Sequence, residues 1–439
     1  MKKKKFQTEN LMKIGRKNGK KMKKFKNIFR RNTCRLCNEQ NLELVIQFKP
    51  TPSGDAYLPK EEADKVKEIY PLDVALCNNC GFLQLFDVVS PKILYNDYFY
   101  LTSHSLGLVE HFKKYADYVI NKIKPKKNEL IVDIGSNDGT LLQYFKKRGM
   151  KVLGIEPAQI TAKVAKKNNI DTIEDFFTPS MAENIKKEWG KASIITANNV
   201  FANIDNLEEV IKGINILLSK KGIFIFETGY MPDLINKNLF DNIYHEHLSY
   251  FSVKPLKAFF ENNGMELIDI NPLPTKGGTI RGFVQFKDGP RKINNSVKKY
   301  IDIEKNQEMD KPATFEKFYD RISLEKERLT NLMQDIKSKG KTITGYGASV
   351  GVTTILYEWG IGNFLDFLVV DNPKRYGLVS PGLKIPVFPS KTLYEKKPDY
   401  TIILSWRYSD PIIKNNKKYL EQGGKWIIPF EEFNIHKTY

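Results

Sequence analysis

A chain of 439 residues is longer than one compact core usually organises and implies two or three domains. Its 41% hydrophobic and 28% charged composition excludes a fibrous or wholly disordered protein, and no apolar run nears the roughly 20 residues of a membrane-spanning helix. The net charge of +19 is concentrated: residues 1–31 hold 14 Lys and Arg against Glu9 alone, a balance of +13, which leaves +6 for the rest.

That amino-terminal stretch, "MKKKKFQTENLMKIGRKNGKKMKKFKNIFRR", lacks the apolar segment of a secretory signal, so a cytoplasmic location is expected. Its composition reads as a disordered, solvated tail over 1–31, the one place where nucleic acid or an anionic membrane surface would find concentrated basic charge. All four cysteines follow in two C-x-x-C knuckles, Cys34 and Cys37 in "CRLCN", then Cys77 and Cys80 in "CNNCG". Two such knuckles complete a tetrahedral shell around zinc, and reduced cytosolic thiols argue against disulfides. A closed four-thiolate shell is structural, and the intervening "KPTPSGDAYLP" reads as a loop.

From Leu130 the pattern becomes α/β. "ELIVDIGSNDGTLLQYFKKRG" predicts strand, glycine turn and amphipathic helix, and "KVLGIEP" a second strand ending at Glu156. "ASIITANNVFANI" and "GIFIFETGY" add two more apolar runs ending in polar residues. Repetition of this kind implies a parallel, doubly wound sheet with its ligand at the carboxyl ends of the strands. The turn "DIGSNDG" departs from a dinucleotide fingerprint. Gly135 and Gly139 permit close backbone approach, while Ser136, Asn137 and Asp138 supply acceptors suited to a cationic head such as that of S-adenosylmethionine. Glu156 is placed to accept from two ribose hydroxyls.

"FDNIYHEHLSYFS" sets Tyr244, His245, Glu246 and His247 in succession. In extended backbone 245 and 247 share a side, whereas a helical turn brings 244 and 247 together. The spacing fits a structural loop or an acid/base centre. A metal site would need a third ligand from His104, His111 or His436, without the spacing of H-E-x-x-H. Next, "PTKGGTIR" places Lys276 and Arg281 beside two glycines, as a phosphate clamp or a hairpin turn. Residues 295–339 predict long charged helices. "KTITGYGASVGVTTILYEWG", "FLDFLVVDN", "PDYTIILSW" and "GKWIIPF" then predict a second, smaller α/β domain. Its Gly347 and Ser349 open a helix whose N-terminus suits a phosphate of a sugar nucleotide.

In this order the four-cysteine module, "VDIGSNDG", "ANNVFANI", "FDNIYHEHLSYFS", "LPTKGGTIR" and "GYGASVGVTT…DNPKRYGLVSPGLKIPV" resemble the three-domain sugar C-methyltransferases, from about Cys34 to near the C-terminus. The resemblance implies a class I, Rossmann-like methyltransferase core at 93–294, a zinc module at 32–92, and a helical connection with a C-terminal Rossmann-like domain at 295–439. It further implies an NDP-4-keto sugar as substrate, methylated at C3. Asp133, Gly135, Asn137, Glu156, Asp175 and Phe176 would surround the cofactor, and Gly139 and Asn198 are counted with them. Tyr244, Glu246, His247 and Asn199 would act on the substrate, with Tyr98 and Tyr100 closing over it. At Asn203 the antibiotic-sugar members carry a histidine, and an amide neither takes nor releases a proton.

The expected reaction is abstraction of the proton next to a ketone by His247, enolate stabilisation near Tyr244, and direct methyl transfer. Three alternatives remain open at the level of sequence: a sugar O-methyltransferase, an RNA-modifying methyltransferase, and a sugar-nucleotide-binding protein without activity. A monomer or small homo-oligomer fits each of them.

Overall fold

A computed structural model describes residues 27–66, 68–95, 101–104 and 107–430. Most of the basic tail, together with Tyr98, Tyr100 and His436, lies outside the described residues.

The amino-terminal part is built on β1 (Leu42–Thr51), β2 (Tyr70–Cys77) and β3 (Leu83–Leu85), all antiparallel. Alternation sets the face of β1, where Ile46 and Phe48 are buried while Gln47 and Lys49 are exposed. The first cysteine knuckle precedes β1. The second occupies the tight β2–β3 turn, where Gly81 N–H donates to Cys77 O over 2.8 Å.

The middle of the chain alternates regularly: α1 (Leu108–Ile123), β4 (Leu130–Ile134), α2 (Thr140–Lys147), β5 (Lys151–Ile155), α3 (Gln159–Lys167), β6 (Thr172–Ile173), α4 (Pro179–Trp189), β7 (Ala192–Asn198), α5 (Leu207–Leu217) and β8 (Leu218–Gly229). β9 (Ser249–Tyr250) leaves this layer and pairs with β3, so the histidine-bearing segment runs beneath the amino-terminal sheet. The chain returns through α6 (Val253–Asn262), β10 (Met265–Leu273) and β11 (Thr279–Phe286). The resulting seven-stranded sheet has the order β10–β11–β8–β7–β4–β5–β6, parallel except that β11 runs antiparallel to both neighbours. Central strands buried on both faces read as unbroken apolar runs, as β4 does.

Two charged helices follow as expected, α7 (Asn295–Asn306) and α8 (Pro312–Ser338). The last unit is a five-stranded parallel sheet of β12 (Ile343–Tyr346), β13 (Leu368–Val370), β14 (Val387–Pro389), β15 (Tyr400–Ile403) and β16 (Lys425–Ile427). Its order is β14–β13–β12–β15–β16, with α9 (Val350–Trp359) after β12.

These parts do not keep separate cores. Buried residues of β1 and β2, of segment 231–250, of α8 and of the last sheet form one hydrophobic cluster. Phe240 shows why: it is fully buried, stacked with Phe48 and Trp406 and 5.0 Å from Trp359. The loop after β1 docks on the last unit, since Leu58–Pro59 pairs with Leu378–Val379 and Asp55 binds Arg375. A loop rich in Pro and Gly looks like surface in sequence, and its edge pairing is visible only once the fold closes.

Candidate active site

The carboxyl ends of β4, β5, β7 and β8 adjoin one another along one edge of the sheet, where open α/β sheets hold their ligands in a crevice. Asp133 Oδ1 accepts from Thr196 Oγ1 over 2.6 Å, and burial pushes this carboxyl up to about 7. Glu156 stands just past β5. Its Oε2 accepts from the Asn137 N–H (2.8 Å) and its Oε1 from the Ala158 N–H (2.9 Å). Each oxygen keeps a second lone pair, as a ribose diol requires, and burial moves the group above the usual carboxylate range. Gly135 has φ +72°, and a Cβ there would stand 2.8 Å from Val200.

The polar residues of this turn are engaged differently from expectation. The Asn137 amide oxygen accepts from Thr102 N–H and Asp138 Oδ2 from Ser103 N–H, so segment 101–104 lies across the turn. Asp138 Oδ1 also accepts from Thr140 Oγ1 over 2.6 Å, as a cap at the start of α2. Both side chains are therefore tied to main chain, for the physical reason that short polar side chains satisfy nearby N–H groups first. Ser136 Oγ and Asn198 Oδ1 are buried and have no partner among the described residues. Beyond β6, Asp175 accepts from the Phe176 N–H, and the Phe176 ring is 53% exposed, an apolar surface that a planar base would cover. Acidic acceptors, orphaned polar atoms and an uncovered ring fit a bound S-adenosylmethionine.

On the other side of the crevice, Asn199 adopts φ +56° and donates its N–H to Glu227 O over 2.8 Å. Glu227, at the end of β8, is nearly fully buried; it binds His111 Nε2 at 2.8 Å and Arg281 at 2.5–2.7 Å. The guanidinium of Arg281 lies 3.9 Å from the Tyr115 ring. Arg281 is thus neutralised inside the protein, not presented to a phosphate beside Lys276. A buried guanidinium requires a counter-charge, and its place in the register, opposite Glu227, supplies one. Lys276 sits in the adjoining turn at φ +53°. Its residue is exposed, but the protein around its ammonium pushes it down to about 8, opposed by Glu227 and reinforced by Arg407.

Segment 244–247 is a turn, with His247 N–H donating to Tyr244 O over 2.9 Å. It puts Tyr244 and His247 on one side. The Tyr244 Oη to His247 Nε2 distance is 2.9 Å, and His247 Nδ1 lies 2.9 Å from the carbonyl of Asn242. A carbonyl only accepts, so Nδ1 carries the hydrogen and Nε2 receives the Tyr244 hydroxyl proton. Burial lowers His247 to about 4, helped by Lys276 and Arg407. His245 points the other way. Its Nε2 donates to Pro71 O at 3.1 Å, its ring meets Tyr70 edge-on, and among the described residues it joins no cluster of candidate metal ligands. Glu246 is buried, its Oε2 has no partner among the described residues, and burial raises it to about 8. Burial thus favours its un-ionised form.

Gly347 and Ser349 lie farther along. Gly347 has φ +131° beside Ser405, Ser349 is exposed, and its carbonyl accepts from Tyr57 Oη at 3.3 Å. The first turn of α9 packs on the core: a Cβ on Gly351 would stand 2.3 Å from Asp241 O, and Thr353 and Thr354 bond the carbonyls of Gly54 and Ile243. Close helix-to-loop packing accounts for Gly351. The sequence singled out neither Glu227 nor Arg407, and named His111 only as a possible metal ligand. The signal for two of them was position, because Glu227 and Arg407 follow apolar strands at the edge where open α/β sheets hold ligands.

The four cysteines converge in the amino-terminal part of the chain. Cys34 to Cys80 and Cys37 to Cys77 are both 3.6 Å between sulfurs, and all four lie within 4.8 Å of one another. A tetrahedron with arms of about 2.3 Å has edges of about 3.8 Å, so the sulfur cage fits zinc.

Strand order and crevice together mark an S-adenosylmethionine-dependent methyltransferase that carries a structural zinc. Family models match in the same order: a zinc binding domain at 34–95, a methyltransferase domain at 109–270, and a C-methyltransferase C-terminal domain at 274–430. The chain is 31% identical over 400 residues to the C-methyltransferase NovU of Streptomyces niveus, covering 91% of this chain and 95% of that one. It belongs to this family of C-methyltransferases. Among solved structures, the magnesium protoporphyrin IX methyltransferase of Synechocystis PCC 6803 aligns at 11% identity and a TM-score of 0.33, over 41% of this chain and 84% of that one. The plantazolicin methyltransferase BpumL aligns at 15% and 0.32, over 40% and 82%.

Proposed function

We propose that this C-methyltransferase acts on a nucleotide-linked keto sugar, at the carbon beside the ketone. Residues 32–92, 93–294 and 295–439 would serve as zinc module, methyl-transfer core and substrate-side unit. The observation that supports the reading best is the Tyr244–His247 pair, a neutral imidazole with its accepting nitrogen already directed at a phenol.

In this proposal, the proton from the α-carbon passes through the Tyr244 hydroxyl to His247 Nε2. The Asn242 carbonyl holds Nδ1–H and so fixes which nitrogen receives it. The resulting enolate oxygen would be stabilised by the Lys276 ammonium and by the un-ionised Glu246 acid. Bound S-adenosylmethionine supplies an electrophilic methyl group, which Asp133, Gly135, Asn137, Gly139, Glu156, Asp175, Phe176 and Asn198 would hold in reach of that carbanion. Asn199 would shape the crevice between them, and Gly347 and Ser349 its far wall. Asn203 carries no proton in this scheme.

NovU is itself a C-methyltransferase, which supports carbon over oxygen as acceptor. The test is incubation with S-adenosylmethionine and a panel of NDP-4-keto sugars, read by mass spectrometry and by solvent-deuterium exchange. Label in a C–CH3 group, with exchange abolished by His247→Asn, supports the proposal. Label in an O–CH3 group, or on RNA, overturns it.

A further inference from the structure

Arg407 lies in the turn Trp406–Tyr408 just after β15, at the carboxyl edge of the last sheet. Its guanidinium crosses to the core. Nη2 donates to Asp241 Oδ2 over 2.7 Å and Nη1 to Asn242 Oδ1 over 2.9 Å. Nη1 also stands 3.3 Å from the Lys276 carbonyl, and Cδ would lie 3.2 Å from a Cβ built on Gly277. One side chain therefore holds both the loop that carries the Tyr244–His247 pair and the loop that carries Lys276. Asn242 is the link, because its amide oxygen takes the Arg407 hydrogen while its main-chain carbonyl takes His247 Nδ1–H.

We propose that Arg407 is a positioning residue for the Tyr244–His247 pair: by clamping Asp241 and Asn242 it fixes the carbonyl that receives His247 Nδ1–H, and so keeps Nε2 as the bare nitrogen facing Tyr244. This rests on the role proposed above for that pair. Two adjacent residues offering two acceptors suit the planar fork of arginine, and a lysine ammonium reproduces the charge without the fork. The charged and titratable groups facing His247 are Tyr244, Lys276 and Arg407, with Asp241 paired to Arg407. Both cations disfavour an imidazolium, in the same sense as burial. The same loop is held by α9 through Gly351 against Asp241 and Thr354 on Ile243 O. The docking of the last unit thereby becomes part of assembling the acid/base centre.

The test is a pH titration of the zinc-loaded, full-length protein, labelled with 15N-histidine and followed by NMR, with the His247 signals assigned from His247→Asn. Wild type should show an Nδ1-protonated tautomer that is neutral at pH 7 and titrates with a midpoint at about 4. Arg407→Gln should mix the tautomers, raise the His247 midpoint by about one unit or more, and lower kcat about tenfold with KM for S-adenosylmethionine unchanged. Arg407→Lys should retain most of the midpoint and lose the single tautomer. Should Arg407→Gln fail to fold, Asp241→Asn with Arg407→Gln removes both charges together, and Arg407→Lys alone still decides the point. A folded variant with the wild-type tautomer and midpoint overturns the proposal. Altered His247 signals with no keto-sugar turnover in wild type would sustain the positioning role and count against the substrate reading instead.

Discussion

Tyr244 donates its hydroxyl proton to His247 Nε2 over 2.9 Å, with ring centroids 4.1 Å apart. The pair is made by a one-turn reversal of the backbone, which brings together two titratable side chains three positions apart in sequence.

Burial sets an acid limit on the proposed proton path. His247 and His245 are both lowered by burial to about 4, so each is neutral in the fold while the unfolded chain takes up protons near 6.5. Their contribution to stability is complete above about pH 6.5 and is lost as pH falls from there toward 4. Urea midpoints measured from pH 7 to pH 4 should fall more steeply in wild type than in His245→Asn, which leaves the dyad in place.

Glu246 acts in the opposite sense. Its folded value, raised to about 8 by burial, exceeds the unfolded one of about 4.3. Stability associated with its proton is therefore complete at low pH and declines as pH rises through that interval, by about 2–3 kcal/mol between pH 5 and 7. Glu246→Gln should flatten this decline in chemical denaturation. An equally steep decline in the variant would show that Glu246 ionises freely in the fold.

Arg281 and Lys276, neighbours in sequence, should separate under mutation. Arg281→Ala leaves Glu227 buried without its cation, at a cost of about 3–5 kcal/mol, and should lower the melting temperature. Lys276→Ala, which breaks no ion pair among the described residues, should leave melting nearly unchanged and lower kcat with the proposed keto-sugar substrate, as loss of an enolate-stabilising cation would. Calorimetry alongside steady-state kinetics separates the two. Melting temperatures that respond alike would contradict the assignment of Arg281 to the interior.

Glu156→Gln should weaken S-adenosylmethionine binding by about 10- to 100-fold, the range of one or two charge-assisted hydrogen bonds. Isothermal calorimetry gives the constant directly. An unchanged dissociation constant would move the ribose elsewhere in the crevice.

Metal removal should act on the fold before the chemistry. Cys34 and Cys77 are fully buried and pack with Phe82 against Phe251 of the core. A strong chelator or Cys77→Ser should therefore release one zinc per chain and unfold the amino-terminal sheet by circular dichroism. Zinc loss with the wild-type melting curve would make the ion dispensable for folding.

Local chemistry determined much of this protein. Apolar runs ending in acids announced β4 and β5 with Asp133 and Glu156, two matched knuckles announced the sulfur cage, and the Y-H-E-H run marked the turn that pairs Tyr244 with His247. Each of these is written in consecutive residues, because strand burial, thiolate pairing and turn geometry act over a few positions. The tertiary structure decided what those residues meet. Arg281 looked like a free cation beside Lys276 until register set Glu227 opposite it. Gly351, unremarked in the sequence, proved to be the point where α9 approaches Asp241. Arg407, about 160 residues beyond the histidines, reached Asn242 only through the docking of two sheets. Buried charges need counter-charges and carbonyls need donors, but which ones they find depends on contacts between distant segments.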